Sequence, residues 1–382
     1  MDLKIIGANL RRIREAKGLT QFEVADRARI SRTAYRNIEN GSSTPKVSTL
    51  QNIAASVDVK LQDLFLPVRT LKNVRFRASK KMNSRDNILI EIARWLDDFN
   101  DLENLLENHE VYKFGELARE LSSMKGGVDR ARYAAKAARV RLGLKEKEPI
   151  HNIAGLLESG GIKVYSLNLV PGGFFGLSVG EDDGGPAIIV NVWERISVER
   201  WIFSAAHELG HLLLHLDAYN VDEISEDEDQ ETEANVFASY FLMPEKAFKS
   251  EWTKASGLFF VDRVFKIKRI FQVSYKTVLY RLSEKSGYSS VWGKFYGAYR
   301  MRTGKTLSRI DEPEALRPDK YLQPEALRAH EPDSLSPSYF IEDRLYKLVR
   351  DAIEKDAITM NRGSEILRIN LEDMRDIVSL WV

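Results

Sequence analysis

His207-Glu208-Leu209-Gly210-His211 holds two histidines four residues apart, which on a helix places both imidazoles on one face, one turn apart. The surrounding residues 201–214 are apolar almost all round, so this helix is expected to be buried. Burying two histidines and a glutamate without partners is costly. A bound Zn²⁺ would provide the partner, with both imidazoles as nitrogen ligands and Glu208 as the general base. The stretch therefore predicts a buried zinc helix at the centre of the fold.

A catalytic zinc site needs a third protein ligand, and several downstream residues compete for that place. The metzincin arrangement is excluded, because it needs glycine at 214 and histidine at 217, where this chain has Leu214 and Asp217. Asp217 could still be a ligand by itself, but it comes where the helix should end. His215 lies roughly 80° round the helix from His207, which suits a group behind the ligands or one that steadies the transition state.

Glu233 is the strongest candidate for the third ligand, because its carboxylate is expected to point inward from a second helix. Its predicted helical face is apolar and aromatic: Phe237, Tyr240 and Phe241. Glu231 is expected to point elsewhere. With Glu233, the two histidines make a His₂Glu zinc set with an open fourth position. The expected reaction is water attack on a peptide carbonyl, with His215, Tyr219 or Tyr240 as candidates to steady the oxyanion.

Two separated motifs resemble the ImmA/IrrE family of metallopeptidases in order and spacing. They are FSAAHELGHLLLH at 203–215, and EANVFA at 233–238 with FLMP at 241–244. The resemblance covers roughly residues 150–285 and implies a gluzincin-like zinc endopeptidase. Residues 186–191 resemble the strand that precedes the zinc helix in that family. Several members cleave a helix-turn-helix repressor and thereby switch on prophage, mobile-element or stress genes.

A small β-sheet is predicted beside the zinc helix. Residues 162–165 and 187–190 have strand character, and residues 171–178 and 183–185 read as hairpin loops between them. An extended peptide could add to the edge of this sheet through backbone hydrogen bonds. The predicted edge-strand contacts are Ile188, Val190 and Asn191. The acidic run 222–231 is predicted to be a solvated loop, or a lid over the cleft.

The N-terminal residues 8–66 have apolar residues at the spacing of five short helices. Thr20 is predicted to cap one of them in a capping box with Glu23, and Ser31 is predicted to cap the next. Gly41 ends the second of these helices. Two short capped helices joined by a tight turn form a helix-turn-helix.

This module closely resembles the Cro/C1-type (XRE) family of DNA-binding domains, through GLTQ at 18–21, SRTAYRNIENG at 31–41 and Pro45. The resemblance implies that the second helix of the motif enters the major groove of double-stranded DNA. The candidate DNA contacts are Gln21, Ser31, Arg32, Thr33 and Arg36. Candidates for phosphate contacts are Arg11, Arg12, Arg14, Lys17 and Lys46.

Composition limits the remaining possibilities. The 382 residues carry 57 basic and 56 acidic side chains, a net charge of +1, so no general affinity for polyanions follows. Residues 1–80 nevertheless hold sixteen Lys/Arg against seven Asp/Glu, which favours a nucleic-acid-binding N-terminus. The absence of cysteine excludes disulfides and thiolate metal ligands. No signal peptide or membrane-spanning run is recognisable, so a cytoplasmic protein is expected.

The expected fold is mainly α with a small β-sheet (α+β), in four regions. These are a helix-turn-helix domain at 1–68, a linker and helical segment at 69–149, a metallopeptidase domain at 150–288, and a linker with a helical regulatory or interaction region at 289–382. Helices are predicted at 86–107, 111–124, 127–142, 260–284, 344–352 and 362–381. An apolar stripe such as that of 86–107 serves as core or as a homodimer contact.

These features predict a DNA-binding regulator with zinc-dependent endopeptidase activity. Its expected protein substrate is an XRE-type repressor or another regulatory protein that controls stress, prophage, mobile-element or toxin–antitoxin genes. The alternative is an XRE repressor or antitoxin whose zinc domain no longer cuts and senses a ligand. Glu208 argues against that alternative, because a purely structural zinc site has no use for it.

Overall fold

The computed structural model describes residues 3–16, 19–57, 59–65, 69, 71–78, 85–167, 174–192, 197–215, 219, 227–286, 288–308, 311–315 and 343–381. Asp217 and the first half of the acidic run lie outside the described residues. The chain divides into two compact units, Met1–Leu71 with Lys81–Asp98, and Lys72–Lys80 with Phe99–Val382. Mostly helical, with one four-stranded sheet, the fold is α+β as predicted. None of the described helices is both long and apolar enough to cross a bilayer.

The first unit contains the predicted helix-turn-helix. Its helices are α1 (Leu3–Ala16), α2 (Gln21–Arg27), α3 (Arg32–Glu39) and α4 (Val47–Ser56), followed by a 3₁₀ turn at Leu61–Leu64. The capping box is confirmed: the Glu23 amide donates to the Thr20 hydroxyl, and the Thr20 amide donates to the Glu23 carboxylate. Arg29 takes a left-handed conformation (φ 56°) between α2 and α3, and Ser31 caps α3. These contacts fix the tight turn that a helix-turn-helix needs.

A buried ion pair ties α1 to α3. Two guanidinium nitrogens of Arg14 donate to the two carboxylate oxygens of Glu39, at 2.7 and 3.0 Å. The Gln21 amide donates to the same carboxylate at 2.9 Å. Burial opposes ionisation of Glu39, but these hydrogen bonds outweigh it and keep its pKa below the ordinary value. Arg14 is therefore engaged by Glu39 within the domain, and its contact with phosphate stays a prediction.

The second unit is built from helices around a small sheet. Helix α5 (Arg85–Leu106) has residues in both units. Before the helix with the two motif histidines come α6 (Gly115–Ser122), α7 (Val128–Arg141) and α8 (Ile153–Ser159). The histidines lie on α9 (Val198–Leu214), which is followed by α10 (Glu228–Leu242), α11 (Glu245–Lys254), α12 (Phe260–Phe271), α13 (Tyr275–Ser286) and α14 (Tyr288–Thr303). Helix α14 lies in a region predicted to be a linker, so that part of the prediction is wrong.

The sheet has the strand order β1-β3-β4-β2. Its strands are β1 (Val74–Ala78), β2 (Lys163–Leu167), β3 (Phe174–Val179) and β4 (Ala187–Asn191). The predictions of β2 and β4 are confirmed, but residues 174–178 were expected in a hairpin loop and instead form β3. The predicted linker contains β1, which pairs antiparallel with β3. Strand β4 is paired on both sides, with β3 and β2, so it is interior and not the predicted edge.

Helix α10 begins inside the acidic run that was predicted to be a loop. Asp227 caps it, accepting from the amides of Asp229 and Gln230. Acidic side chains in a first turn are stabilised by the helix dipole, so the end of the run suits a helix start as well as a loop. Helix α10 packs closely on α9, because Gly210 has no side chain: a Cβ there would lie 3.0 Å from the Phe237 ring.

The C-terminal helices are α15 (Arg344–Glu354), α16 (Met360–Leu367) and α17 (Leu371–Ser379). Residues 362–381 were predicted as one helix, but Arg368 takes a left-handed conformation (φ 58°) and divides it. This turn repeats that of the N-terminal unit. Each has a left-handed arginine, then an isoleucine whose amide donates back to the carbonyl five residues earlier, then a capping residue, here Asn370.

Candidate metal centre

Three buried side chains converge between α9 and α10. The Nε2 atoms of His207 and His211 are 2.9 Å apart. One carboxylate oxygen of Glu231 lies 3.4 Å from His207 Nε2, and the other lies 3.3 Å from His211 Nε2. All the potential ligand atoms lie within 4.8 Å of one another. The predicted pair of histidines thus meets a carboxylate from a second helix, as a His₂Glu zinc site requires.

The carboxylate in this position is not the predicted one. Glu233 is turned away from the gap between the imidazoles, and it accepts from Arg130 and from the Gly127 amide on the side of α7. Glu231 and Glu233 lie roughly 200° apart around α10, since each residue turns a helix by about 100°. Both are buried because α10 packs on α9 with one face and on α7 with another. The expectation that Glu231 points elsewhere is therefore wrong.

A side-chain amide fixes the orientation of the first imidazole. His207 Nδ1 lies 3.0 Å from Asn235 Oδ1, one turn along α10 from Glu231. Because that oxygen can only accept, Nδ1 donates to it, and Nε2 is the ring nitrogen that faces His211 and Glu231. Sequence reasoning missed Asn235, although its i+4 spacing from Glu231 would have placed both on one helical face.

Hydrogen bonds from Glu233 through His215 orient the imidazole of His211, the second histidine of the motif. Glu233 accepts from His215 Nε2 at 2.8 Å, and His215 Nδ1 lies 2.9 Å from His211 Nδ1. Burial lowers the pKa of His215 to about 4, so its single proton sits on Nε2 and its Nδ1 accepts from His211. Burial also holds the pKa of His211 well below its usual range. The Nε2 atom of His211 is thus left with a lone pair.

The donor set fits a divalent cation. The Nε2 atoms of His207 and His211 face each other at 2.9 Å, with the Glu231 carboxylate beside them. Their lone pairs and the carboxylate charge repel one another, and a cation bound between the three groups would stabilise them. Two imidazole nitrogens and a carboxylate oxygen, without thiolate, are the ligands of a catalytic zinc. The contacts of Asn235, and of His215 with Glu233, are the outer hydrogen bonds that hold metal-binding histidines in place.

Glu208 lies among polar groups from β3. The Ser178 hydroxyl donates to Glu208 Oε2 at 3.0 Å, and the Tyr219 hydroxyl lies 2.6 Å from Ser178 Oγ. Burial raises the pKa of Tyr219 well above its usual range, so the phenol stays protonated and donates to Ser178. Gly176 gives Glu208 its room, because a Cβ there would lie 3.0 Å from Glu208 Oε1. The strand that was expected to be a loop thus positions Glu208, the predicted general base.

Other predicted site residues lie elsewhere. Tyr240 donates to Glu284 and stacks on the guanidinium of Arg281, contacts that leave its hydroxyl engaged with α13. The predicted edge residues Ile188, Val190 and Asn191 are buried in the interior strand β4. A residue not foreseen from the sequence, Arg75 on β1, donates to Gln230 at 2.5 Å and lies 3.4 Å from Glu231 Oε1.

The helix-turn-helix presents several of its predicted DNA contacts to solvent. Ser31, Arg32, Thr33 and Arg36 are exposed at the start and along one face of α3. Ser31 also accepts from the Ala34 amide, so its hydroxyl oxygen is engaged as a cap. Gln21 is half-buried and donates to Glu39, a contact that links α2 to α3, and its role in DNA binding stays a prediction.

Comparisons with known proteins agree with both parts of the chain. Residues 10–64 match the family model described as helix-turn-helix, and residues 158–283 match the one described as IrrE N-terminal-like domain. The uncharacterized HTH-type transcriptional regulator y4dJ of Sinorhizobium fredii (strain NBRC 101917 / NGR234) is 38% identical over 68 residues, 18% of this chain and 88% of that protein. The uncharacterized HTH-type transcriptional regulator YqaE of Bacillus subtilis (strain 168) is 37% identical over 81 residues, 21% of this chain and 70% of that protein.

The crystal structure of Bacillus thuringiensis PlcR in complex with the peptide PapR7 and DNA aligns with 98% of this chain and 96% of its own, at 11% identity. Its TM-score of 0.17 is too low to indicate a shared fold. The matches to the N-terminal region define a DNA-binding regulator of the helix-turn-helix class. The chain belongs to the XRE-type helix-turn-helix family, and it carries in addition an ImmA/IrrE-type peptidase domain.

Proposed function

We propose that this protein is a DNA-binding regulator that also cleaves peptide bonds with a zinc ion held by His207, His211 and Glu231. The observation that carries the proposal is the convergence of two imidazole lone pairs and a carboxylate, with Glu208 beside them. Zn²⁺ bound there would act as a Lewis acid that polarises a peptide carbonyl and makes water more acidic. The proposed substrate is a regulatory protein, with an XRE-type repressor as the first candidate.

The side chains of the chain itself perform the proton transfers. Glu208 takes a proton from the attacking water and delivers it to the amine that leaves. Ser178 donates to Glu208 and Tyr219 donates to Ser178, and these two hydrogen bonds hold the Glu208 carboxylate in position. Asn235 and the His215–Glu233 pair keep both imidazoles oriented with Nε2 inward.

Glu208→Gln should abolish peptide cleavage and leave zinc binding unchanged. Glutamine has nearly the same shape but cannot accept the proton, so a loss of at least about a hundredfold in turnover is expected. The measurement is cleavage of purified XRE-type repressors by the zinc-loaded protein, with zinc content determined in parallel. A chelator should stop the unsubstituted protein, and added zinc should restore it. Normal cleavage by Glu208→Gln would refute the proposed role.

Arg36→Ala should weaken operator binding and reduce its salt dependence. Arg36 is exposed on α3, the helix expected to enter the major groove. Loss of one phosphate contact would lower the slope of log affinity against log salt by about 1, whereas loss of a base contact would cost roughly 1–3 kcal/mol and relax the sequence preference. Lys60→Ala, which removes a charge away from α3, is the matched control. Equal binding of the two variants and the parent would contradict the assignment.

A further inference from the structure

Strand β3 lies against the metal centre, with β4 on one side of it and the edge strand β1 on the other. Strand β3 carries Ser178, which donates to the general base Glu208, and Gly176, which packs against the same carboxylate. A sheet edge beside a hydrolytic centre is where an extended peptide can add as a further strand through its backbone. In this protein that side of β3 is paired with β1, a strand of the same chain that lies between the helix-turn-helix and the peptidase domain in sequence.

The register of β1 brings a basic side chain to the metal ligands. Arg75 is directly opposite Ser178, and opposite residues of an antiparallel pair project from the same face of the sheet. Its guanidinium accordingly donates to Gln230 at 2.5 Å and lies 3.4 Å from Glu231 Oε1. The side chain is 12% exposed, so it fills a pocket rather than lying on the surface.

The strand is anchored at its beginning by a residue outside the metal centre. Asp183, in the 3₁₀ turn between β3 and β4, accepts from the backbone amides of Lys72 and Asn73. The Asn73 carbonyl in turn accepts from the Gly180 amide at 2.9 Å. These bonds hold the backbone immediately before β1 and so fix the position of the strand. Arg75 is the β1 side chain that contacts the metal-binding carboxylate.

We propose that the β3 edge is the peptide-binding edge of the metal centre, and that β1 occupies it in cis in the manner of a substrate segment with arginine or lysine opposite Ser178. The proposal rests on the proposed peptidase function. A separate peptide can pair with β3 only after β1 leaves, so β1 restrains the enzyme. The acceptors that meet Arg75, on Gln230 and Glu231, select for a basic residue at this position in the incoming peptide.

Binding of a labelled peptide with the sequence of residues 70–80 tests this directly. The full-length zinc-loaded protein carries Glu208→Gln so that the peptide stays intact, and affinity is measured by fluorescence anisotropy. Adding Asp183→Ala should raise the affinity about tenfold, because β1 loses its anchor. Lys72→Ala is the matched control, since it removes a side chain of the same segment and keeps the amide that Asp183 accepts. A peptide with alanine in place of Arg75 should bind the Asp183→Ala protein about tenfold more weakly.

Equal affinity of the Asp183→Ala and Lys72→Ala proteins, or indifference to alanine in the peptide, would overturn the proposal. If Asp183→Ala does not fold, as judged by circular dichroism and zinc content, Arg75→Ala in the protein takes its place and should raise the affinity in the same direction. The readout is binding, so it does not depend on hydrolysis. Failure of the peptidase assignment would instead appear in the cleavage assay of Glu208→Gln.

Discussion

Glu231→Gln is expected to lower zinc affinity roughly a thousandfold, while Glu233→Gln, two residues along the same helix, lowers it about 10–100-fold. The first change removes the charge of a proposed ligand, whose two oxygens lie 3.4 and 3.3 Å from the histidine nitrogens. The second removes the charge of a residue that contacts His215, and the single amide oxygen of glutamine can take the place of Glu233 Oε2, which accepts from His215 and Arg130. Competition with a chromophoric chelator measures both affinities.

The two variants control each other, because they make the same chemical change two residues apart on α10. Both should be folded, which circular dichroism would establish. The contrary outcome is that Glu233→Gln binds no zinc while Glu231→Gln binds one equivalent. It would show that the two carboxylates exchange roles when the metal binds. That result would restore the set His207, His211 and Glu233 expected from the sequence.

The sequence identified the two histidines because a four-residue spacing on an apolar helix leaves little freedom. The third ligand could not be chosen the same way, since α10 is buried on two faces and each carries a glutamate. Glu233 was predicted because it shares a helical face with Phe237 and Phe241. The close approach of the two helices is instead marked by Gly210 and Ala234, since a Cβ on Gly210 would lie 3.3 Å from the Ala234 backbone. Small residues mark where helices approach closely enough to share a metal.

The sheet was only half predictable for a similar reason. Strand β4 is an almost continuous apolar run, which is typical of a buried strand, and β2 contains Val164 and Tyr165, residue types that favour strands. Strand β3 contains Gly176, and β1 lies in a basic segment with few apolar residues, so both resemble loop or linker sequence. In each case the residue that weakens the strand signal serves the site: Gly176 makes room for Glu208, and Arg75 meets Glu231. Functional positions are where local sequence preference is expected to fail.

The N-terminal unit was predicted more completely, because its signals are local. Capping at Thr20 and Ser31 and the turn between α2 and α3 depend on residues within a few positions of one another. The ion pair of Arg14 with Glu39 joins residues 25 positions apart, and nothing in the local pattern distinguished Arg14 from the basic residues around it. Only the packing of α1 on α3 shows that this arginine stabilises the domain.

Lys268→Met is expected to destabilise the second compact unit by about 3–5 kcal/mol, because it removes the charged partner of a buried carboxylate. Lys268 on α12 donates to Glu199 in the first turn of the metal helix α9, and both side chains are 0% exposed. Its second acceptor, Glu312, lies 2.8 Å away and keeps contacts with Ser274 and the Tyr275 amide. The loss of the lysine therefore acts mainly on Glu199, which loses its ion pair with Lys268. Scanning calorimetry of the full chain, with and without zinc, should show a lower unfolding temperature for this unit.

The double variant Glu199→Gln with Lys268→Met separates two effects on stability: the cost of removing one partner of the ion pair, and the contribution of the intact ion pair. A buried pair is often replaced by uncharged groups of similar size at little cost, whereas removing one partner is severe. The double variant should therefore be more stable than Lys268→Met alone, although it carries more changes. If both variants unfold at the same temperature, packing of the lysine stem rather than charge compensation holds α12 to α9. In that case Glu199→Gln alone should leave the unfolding temperature nearly unchanged. Charge compensation predicts instead that Glu199→Gln lowers it, because Lys268 then depends on Glu312 alone for its ion pair and the start of the helix that carries both histidines is held less firmly.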